Sequence, residues 1–335
     1  MRSFKVNRNT TILLAGFLAG AVLFVLFFVS ANLLSGKSAF SLPFIAGEAS
    51  ATNEAGDASA VPNPSSTPAW TVTPVFAPAF TATPTQILTA TPLPPEGEAF
   101  SIGESLEGKP LEMYRFGSGP IVRVIIGAIH GGYESNTATL VYLLRDDLKN
   151  GLITVPEEIT LYLLPVFNPD GFYDYLNLPA GRSNYRGVDI NRNWDAYWAP
   201  DWDRTGCFNY AYLTAGEFPF SEPETIALRD FLLNNRADAL ISYHSAMSAI
   251  FAGGRPEPDP ISDDLARTLS AASLYLYPPT NDPGCQYTGQ LIDWASANGI
   301  AAVDVELTDH QSNDILINRK LLEAFLAWRR KEPTP

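Results

Sequence analysis

The chain has 335 residues, 46 % of them hydrophobic and 12 % aromatic, enough to bury a full globular core. Its formal net charge is −14 and it has no Lys/Arg-rich stripe, which leaves no basic face for a nucleic-acid partner.

The first predicted element is a short basic tail, residues 1–11, carrying Arg2, Lys5 and Arg8. Residues 12–34 follow as an apolar stretch. A spanning helix needs about 20 apolar residues, whereas a cleavable signal has a core of about 7–15. The stretch therefore reads as a transmembrane signal-anchor. Basic residues ahead of it put the tail in the cytoplasm and the rest of the chain outside the cell. The alternative is a long cleaved signal, which would leave the protein secreted. Residues 35–96 turn to Pro, Thr, Ser and Ala, with Thr-Pro steps at Thr67–Pro68, Thr73–Pro74, Thr83–Pro84 and Thr91–Pro92. Proline lacks a backbone donor and favours extended polyproline II, so this stretch is expected to be a disordered linker acting as a spacer.

Residues 97–332 read as one domain. Strand-length apolar runs occur at 122–129 "VRVIIGAI", 158–167 "EITLYLLPVF", 237–244 "ADALISYH" and 301–307 "AAVDVEL". Helical patterns cover 136–149, 222–235, 262–275, 289–299 and 314–330. Continuous Val/Ile/Leu runs separated by helices predict an α/β fold: a mixed, largely parallel twisted sheet with helices on both faces. Ligands in such sheets bind beyond the carboxyl ends of the strands. There the sequence places His130, then "NPDG", then His244, then Glu306, while "GVDINRNW" lies between the second and third strands. The chain has three histidines, and two of them stand at strand ends. Two His and two Glu converging there resemble a catalytic zinc set, in which three protein ligands leave a fourth position open. The two cysteines, Cys207 and Cys285, are expected to form one structural disulfide in an oxidising exterior.

"IHGGYE", "NPDG", "GVDINRNW", "YHS" and "VEL", in that order, resemble the zinc carboxypeptidase family of carboxypeptidase A, the funnelins. The resemblance runs over nearly all of residues 101–330. It implies one Zn²⁺ per chain held by His130, Glu134 and His244, with a water on the metal activated by Glu306. It implies that Arg182 polarises the scissile carbonyl, and that Asn191 and Arg192 hold the substrate's terminal carboxylate. Asp189 matches the acid that hydrogen-bonds the first metal histidine. Neutral imidazole needs such a partner to fix its tautomer, and the planar arginine fork suits a carboxylate or a developing oxyanion. Arg186 reads as surface or structural, and His310, with no motif position, as exposed.

Two departures from the family pattern are visible. Three residues separate His130 from Glu134, where the family has two. The tyrosine that caps the family's pocket has Cys285 at its gapless position, with Tyr287 two residues late as the candidate. Asp304 shares a strand face with Glu306 and falls at the wall of the family's side-chain pocket, where an acid favours a basic group. Zymogen relatives carry a folded pro-domain, whereas this chain has the Pro/Thr-rich linker, so no zymogen inhibition is expected.

The sequence thus predicts a monomeric, membrane-tethered metallocarboxypeptidase that hydrolyses C-terminal peptide bonds outside the cell. One alternative is a murein-peptide amidase or endopeptidase of the same fold. The other is a non-catalytic surface-binding module, which a missing ligand or base would mark; none is missing.

Overall fold

A computed structural model describes residues 93–178, 181–204, 211–280 and 284–331. The expected basic tail, signal-anchor and most of the linker lie outside the described residues, as does Cys207. Among the described residues no helix is long and apolar enough to cross a membrane.

Seven strands form one sheet: β1 (Ala99–Glu104), β2 (Pro110–Gly117), β3 (Ile121–Ile126), β4 (Ile159–Leu164), β5 (Ala237–Ser245), β6 (Ala249–Ala252) and β7 (Ala301–Leu307). Their spatial order is β1-β2-β4-β3-β5-β7-β6. The four central strands, β4-β3-β5-β7, are parallel, and β1, β2 and β6 add antiparallel edges. The mixed, largely parallel sheet is therefore as expected, while the antiparallel strands extend it beyond the four runs read from the sequence.

Helices cover both faces because neighbouring residues of the central strands point opposite ways. Ile125 of β3 packs in a cluster with Leu140 and Leu144 of α1 (Ser135–Lys149), Leu265 of α4 (Pro260–Ala272) and Phe325 of α6 (Ile315–Ala327). Its neighbours Val124 and Ile126 pack in a second cluster with Leu228 and Leu232 of α3 (Pro223–Asn234) and Trp294 of α5 (Leu291–Ala297). Only a strand buried on both sides needs an uninterrupted apolar run, and β4 is buried at every position. A short helix, α2 (Pro169–Tyr173), follows β4, with the Asn168 side chain accepting from Gly171 N.

The "VRVIIGAI" ladder stops at Ile126, earlier than the run predicts. Ala128 takes a φ of +42°, which breaks the extended path, and the chain instead pairs with the end of β4 through Gly127 N to Leu164 O and Phe167 N to Gly127 O. His130 thus sits on a loop past the carboxyl end of β3, beside the ends of β5 and β7.

Candidate active site

Three side chains converge beyond the strand ends. Glu134 closes a 3-10 turn, Gly132–Glu134, and its Oε1 lies 2.9 Å from His130 Nδ1. Its Oε2 lies 3.1 Å from Nδ1 of His244, which β5 carries at its end. One donor atom from each of the three residues fits within 4.8 Å of the others, and all three are buried. Two donors on one zinc in a tetrahedron with 2.0–2.1 Å bonds stand roughly 3.3 Å apart. The two imidazole–carboxylate separations are near that figure, so the donor set fits zinc in chemistry and in spacing. The 3-10 turn brings Glu134 back to His130 across the three residues between them.

Glycines make the turn possible for a reason the sequence did not reveal. A Cβ on Gly131 would stand 2.5 Å from Gly171 O and from Phe172 Cα, and one on Gly181 only 2.4 Å from Gly132 N. The "HGG" loop, the "NPDG" helix and the segment leading to Arg182 therefore touch backbone to backbone beside the metal ligands. Gly131 N donates to Gly181 O at 2.9 Å, which ties the segment of Arg182 to that of His130.

Behind the ligands stands Asp189. Its Oδ1 is 3.1 Å from His130 Nε2 and also accepts from Asn191 N at 3.0 Å. A carboxylate on Nε2 places the proton there and leaves the Nδ1 lone pair for the metal. Arg182 donates to Asp189 Oδ2 (3.2 Å) and to Glu134 Oε1 (2.9 Å), so it sits at the edge of the ligand set. Burial disfavours ionisation of Asp189, yet His130 and Arg182 hold its carboxyl well below the usual range. Glu134 behaves likewise: burial opposes its charge, and His130 and His244 hold its carboxyl low. For His244, burial opposes the charge but Asp304 and Glu134 raise it above the ordinary imidazole value. Glu306 goes the other way. Burial pushes it up to about 8 against the pull of His244, and Glu134 and Asp304 add to the rise.

These groups open onto a cavity of about 720 Å³, lined also by Asn191, Arg192, Tyr287, Asp304 and Glu306. Asn191 accepts from Leu291 N at 3.1 Å through its Oδ1, and Nδ2 is its remaining side-chain donor. Arg192 is buried with its guanidinium 5.5 Å from the Trp202 ring centre and 6.0 Å from that of Tyr287, and its Nε has no partner among the described residues. Glu306 Oε2 is likewise unpartnered among the described residues. Asp304 is buried, and its Oδ1 lies 3.5 Å from His244 Nε2. Cys285 lines the cavity and carries no free thiol, while Cys207, its expected partner, lies outside the described residues.

Arg186 pairs with Glu222 at 2.9 Å and is structural, as expected. His310 is exposed, as expected, but its Nδ1 reaches Ser245 Oγ at 3.0 Å beside the ligand set. Sequence reasoning missed Arg255, which lines the cavity wall, pairs with buried Asp293 at 2.9 Å and lies 4.7 Å from the Tyr287 ring centre. It also missed Ser242, whose Oγ is 3.2 Å from His244 Nε2.

A model of the zinc carboxypeptidase family matches residues 94–326. Mouse carboxypeptidase A1 is 27 % identical over 229 residues, which cover 59 % of this chain and 54 % of that protein. The chain spans about half the length of the curated relatives it matches. Among solved structures, the murein-tripeptide amidase MpaA from Escherichia coli O157 aligns with a TM-score of 0.51 and 25 % identity, over 72 % of this chain and 95 % of that one. Bovine thrombin-activatable fibrinolysis inhibitor aligns with a TM-score of 0.55 and 23 % identity, over 69 % of this chain and 87 % of that one, a likeness of fold.

Proposed function

The chain belongs to the zinc carboxypeptidase family, and on that premise we propose that it is a zinc-dependent peptidase removing C-terminal residues from peptides. The observation that carries this reading is one cavity lined by both a metal donor set and a buried arginine, Arg192. His130, Glu134 and His244 would hold the zinc, which when bound acidifies a water and polarises a carbonyl.

The chain's own residues supply the rest. Arg192 and Asn191 Nδ2 offer N–H donors to the terminal carboxylate and fix the peptide in register. Glu306, opposite His244 in the β5–β7 register, takes the proton of the attacking water on its carboxylate, the form that a cation held beside it would favour over the neutral acid that burial favours, and passes it to the leaving amine nitrogen. Arg182 stands at the ligand set to meet negative charge developing on the carbonyl oxygen. Tyr287, beside Arg192 and Arg255, closes the cavity over the C-terminal residue.

The test is mass spectrometry of a mixed peptide set incubated with the full chain, with Glu306→Gln and chelator-treated controls. Loss of single C-terminal residues, abolished by both controls and absent from C-terminally amidated peptides, is the expected result. No release, or release untouched by the chelator, would overturn the reading.

A second reading is favoured by the alignment to the murein-tripeptide amidase, which the chain covers almost from end to end. It makes the substrate a murein peptide, and a murein tripeptide in the same set separates the two. The proposal extends to location: residues 12–34 tether the domain and residues 35–96 space it from the outer face of the membrane.

A further inference from the structure

We propose that Asp304 is a positioning residue for His244, holding the proton of Nε2 so that Nδ1 is presented to the metal. The inference rests on the metal-centre reading above and concerns how this chain supports it.

The sheet itself makes the arrangement. In the parallel β5–β7 pair, Ser242 stands opposite Asp304 and His244 opposite Glu306. Residues two apart share a face, so these four polar side chains form a square at the strand ends. Tyr243 and Val305, between them, pack into the core on the other face. Within the square, Asp304 and His244 lie on a diagonal, and Asp304 Oδ1 is 3.5 Å from His244 Nε2. The opposite nitrogen, Nδ1, faces Glu134 Oε2 at 3.1 Å. Each ring nitrogen of His244 thus has a carboxylate beside it, Glu134 within hydrogen-bond reach of Nδ1 and Asp304 at ion-pair distance from Nε2.

Ser242 Oγ is nearer to Nε2, at 3.2 Å, and makes the hydrogen bond there. A hydroxyl both donates and accepts, so it fits either tautomer, whereas a carboxylate only accepts and selects the one protonated at Nε2. The other tautomer would leave Asp304, only 6 % exposed and with no hydrogen bond to Oδ1 among the described residues, facing a lone pair. Asp189 already stands in this relation to His130 Nε2. Both metal histidines then have a buried carboxylate on the nitrogen away from the metal, an arrangement that orients the ring and strengthens the ligand. The side-chain pocket role expected for Asp304 competes for the same oxygen, because the residue also lines the cavity.

Zinc affinity decides between the two. The full chain and its Asp304→Ala, Asp304→Asn and Ser242→Ala variants are titrated against a competing chromophoric chelator. KM and kcat are measured in parallel at saturating zinc on peptides ending in Lys and in Leu. Zinc binding is expected to weaken about 10–100-fold in Asp304→Ala and about 3–10-fold in Asp304→Asn, whose amide oxygen still accepts the proton. Ser242→Ala should change it little, and KM for both peptides should hold. Asp304→Asn carries the test alone where the alanine variant does not fold. Zinc affinities of the Asp304 variants equal to that of the unmodified chain overturn the inference, and a KM rise confined to the Lys peptide would assign Asp304 to the pocket instead. An unmodified chain that binds no zinc would sink the metal-centre reading itself.

Discussion

Glu306 is the cavity carboxylate opposite His244 in the β5–β7 register, whereas Asp304, which also lines the cavity, stands 3.5 Å from His244 Nε2. Glu134 is engaged by His130, His244 and Arg182, and Asp189 by His130 and Arg182. Glu306 keeps one oxygen unpartnered among the described residues and lines the cavity. Glu306→Gln is therefore expected to retain zinc while kcat falls by about 10²–10⁴-fold; turnover with zinc stoichiometry measures this, and an unchanged kcat removes Glu306 as the base. Arg192→Lys tests the clamp. Lysine lacks the planar fork, so KM for peptides with a free C-terminus should rise by about 10-fold, or about 1.4 kcal/mol, with kcat less affected. These residues were legible because the chemistry fixes their type and the fold fixes their order, so "HGGYE", "NPDG", "GVDINRNW" and "VEL" stand out in one dimension. Arg255 was not legible. It follows two glycines in a proline-rich turn, and its place at the cavity depends on Asp293, a partner on α5 distant in sequence.

At the scale of elements, the central strands showed in the sequence because burial on both faces demands apolar runs. β2 alternates exposed and buried residues over its first half and pairs with its neighbouring strands β1 and β4 antiparallel, and β6 has four residues, so neither produced that signal. The glycines were visible, but not the packing they serve. Gly131→Ala tests it: Gly131 has a φ of −82°, which alanine tolerates, so the whole penalty is the overlap with Gly171 O and Phe172. Overpacking of this kind costs about 1–3 kcal/mol, and a shifted His130 should weaken zinc binding along with the melting temperature; a variant matching the parent in both would show that the loops have room. Glu224 gives a pH test. It ties the turn before β2 to α3, accepting from Leu106 N at 3.0 Å, and burial raises its carboxyl to about 7, against the Leu106 hydrogen bond and with Asp170 adding to the rise. A folded-state pKa above the unfolded one means that the folded chain takes up the proton. The stability linked to that proton is full below the ordinary Glu value and is lost as pH rises through about 7. Glu224→Gln, permanently neutral, should therefore be near neutral in effect at pH 4 and stabilising at pH 8, by at most roughly 3 kcal/mol. Melting curves across that range read it, and a difference independent of pH would show an ordinary carboxyl.

Across the whole molecule, the question is whether the long N-terminal stretch restrains the site. Residues 35–92 are dominated by Pro, Thr, Ser and Ala, a composition expected to bury too little apolar surface to offset the entropy of ordering. An inhibitory pro-domain must itself fold to cover a cavity, so this stretch is expected to act as a tether alone. The boundary of the catalytic unit is set by Arg115, whose Nε donates to Pro94 O at 2.7 Å, and by the bridge between Glu96 and Arg115 on β2. The cut that tests the tether therefore falls before Leu93. Removing residues 1–92 should leave kcat/KM within about 2-fold of the full chain, because the composition of that stretch predicts no folded surface to lay over the site. It should also move the protein from the membrane fraction to the soluble one, since residues 12–34 go with it. A cut after Gly97 removes the Pro94 carbonyl and the Glu96 bridge as well, and should cost about 1–2 kcal/mol of stability with the active site intact. A large gain in kcat/KM on removing residues 1–92 would instead mean that the stretch folds over the cavity and holds the enzyme inactive.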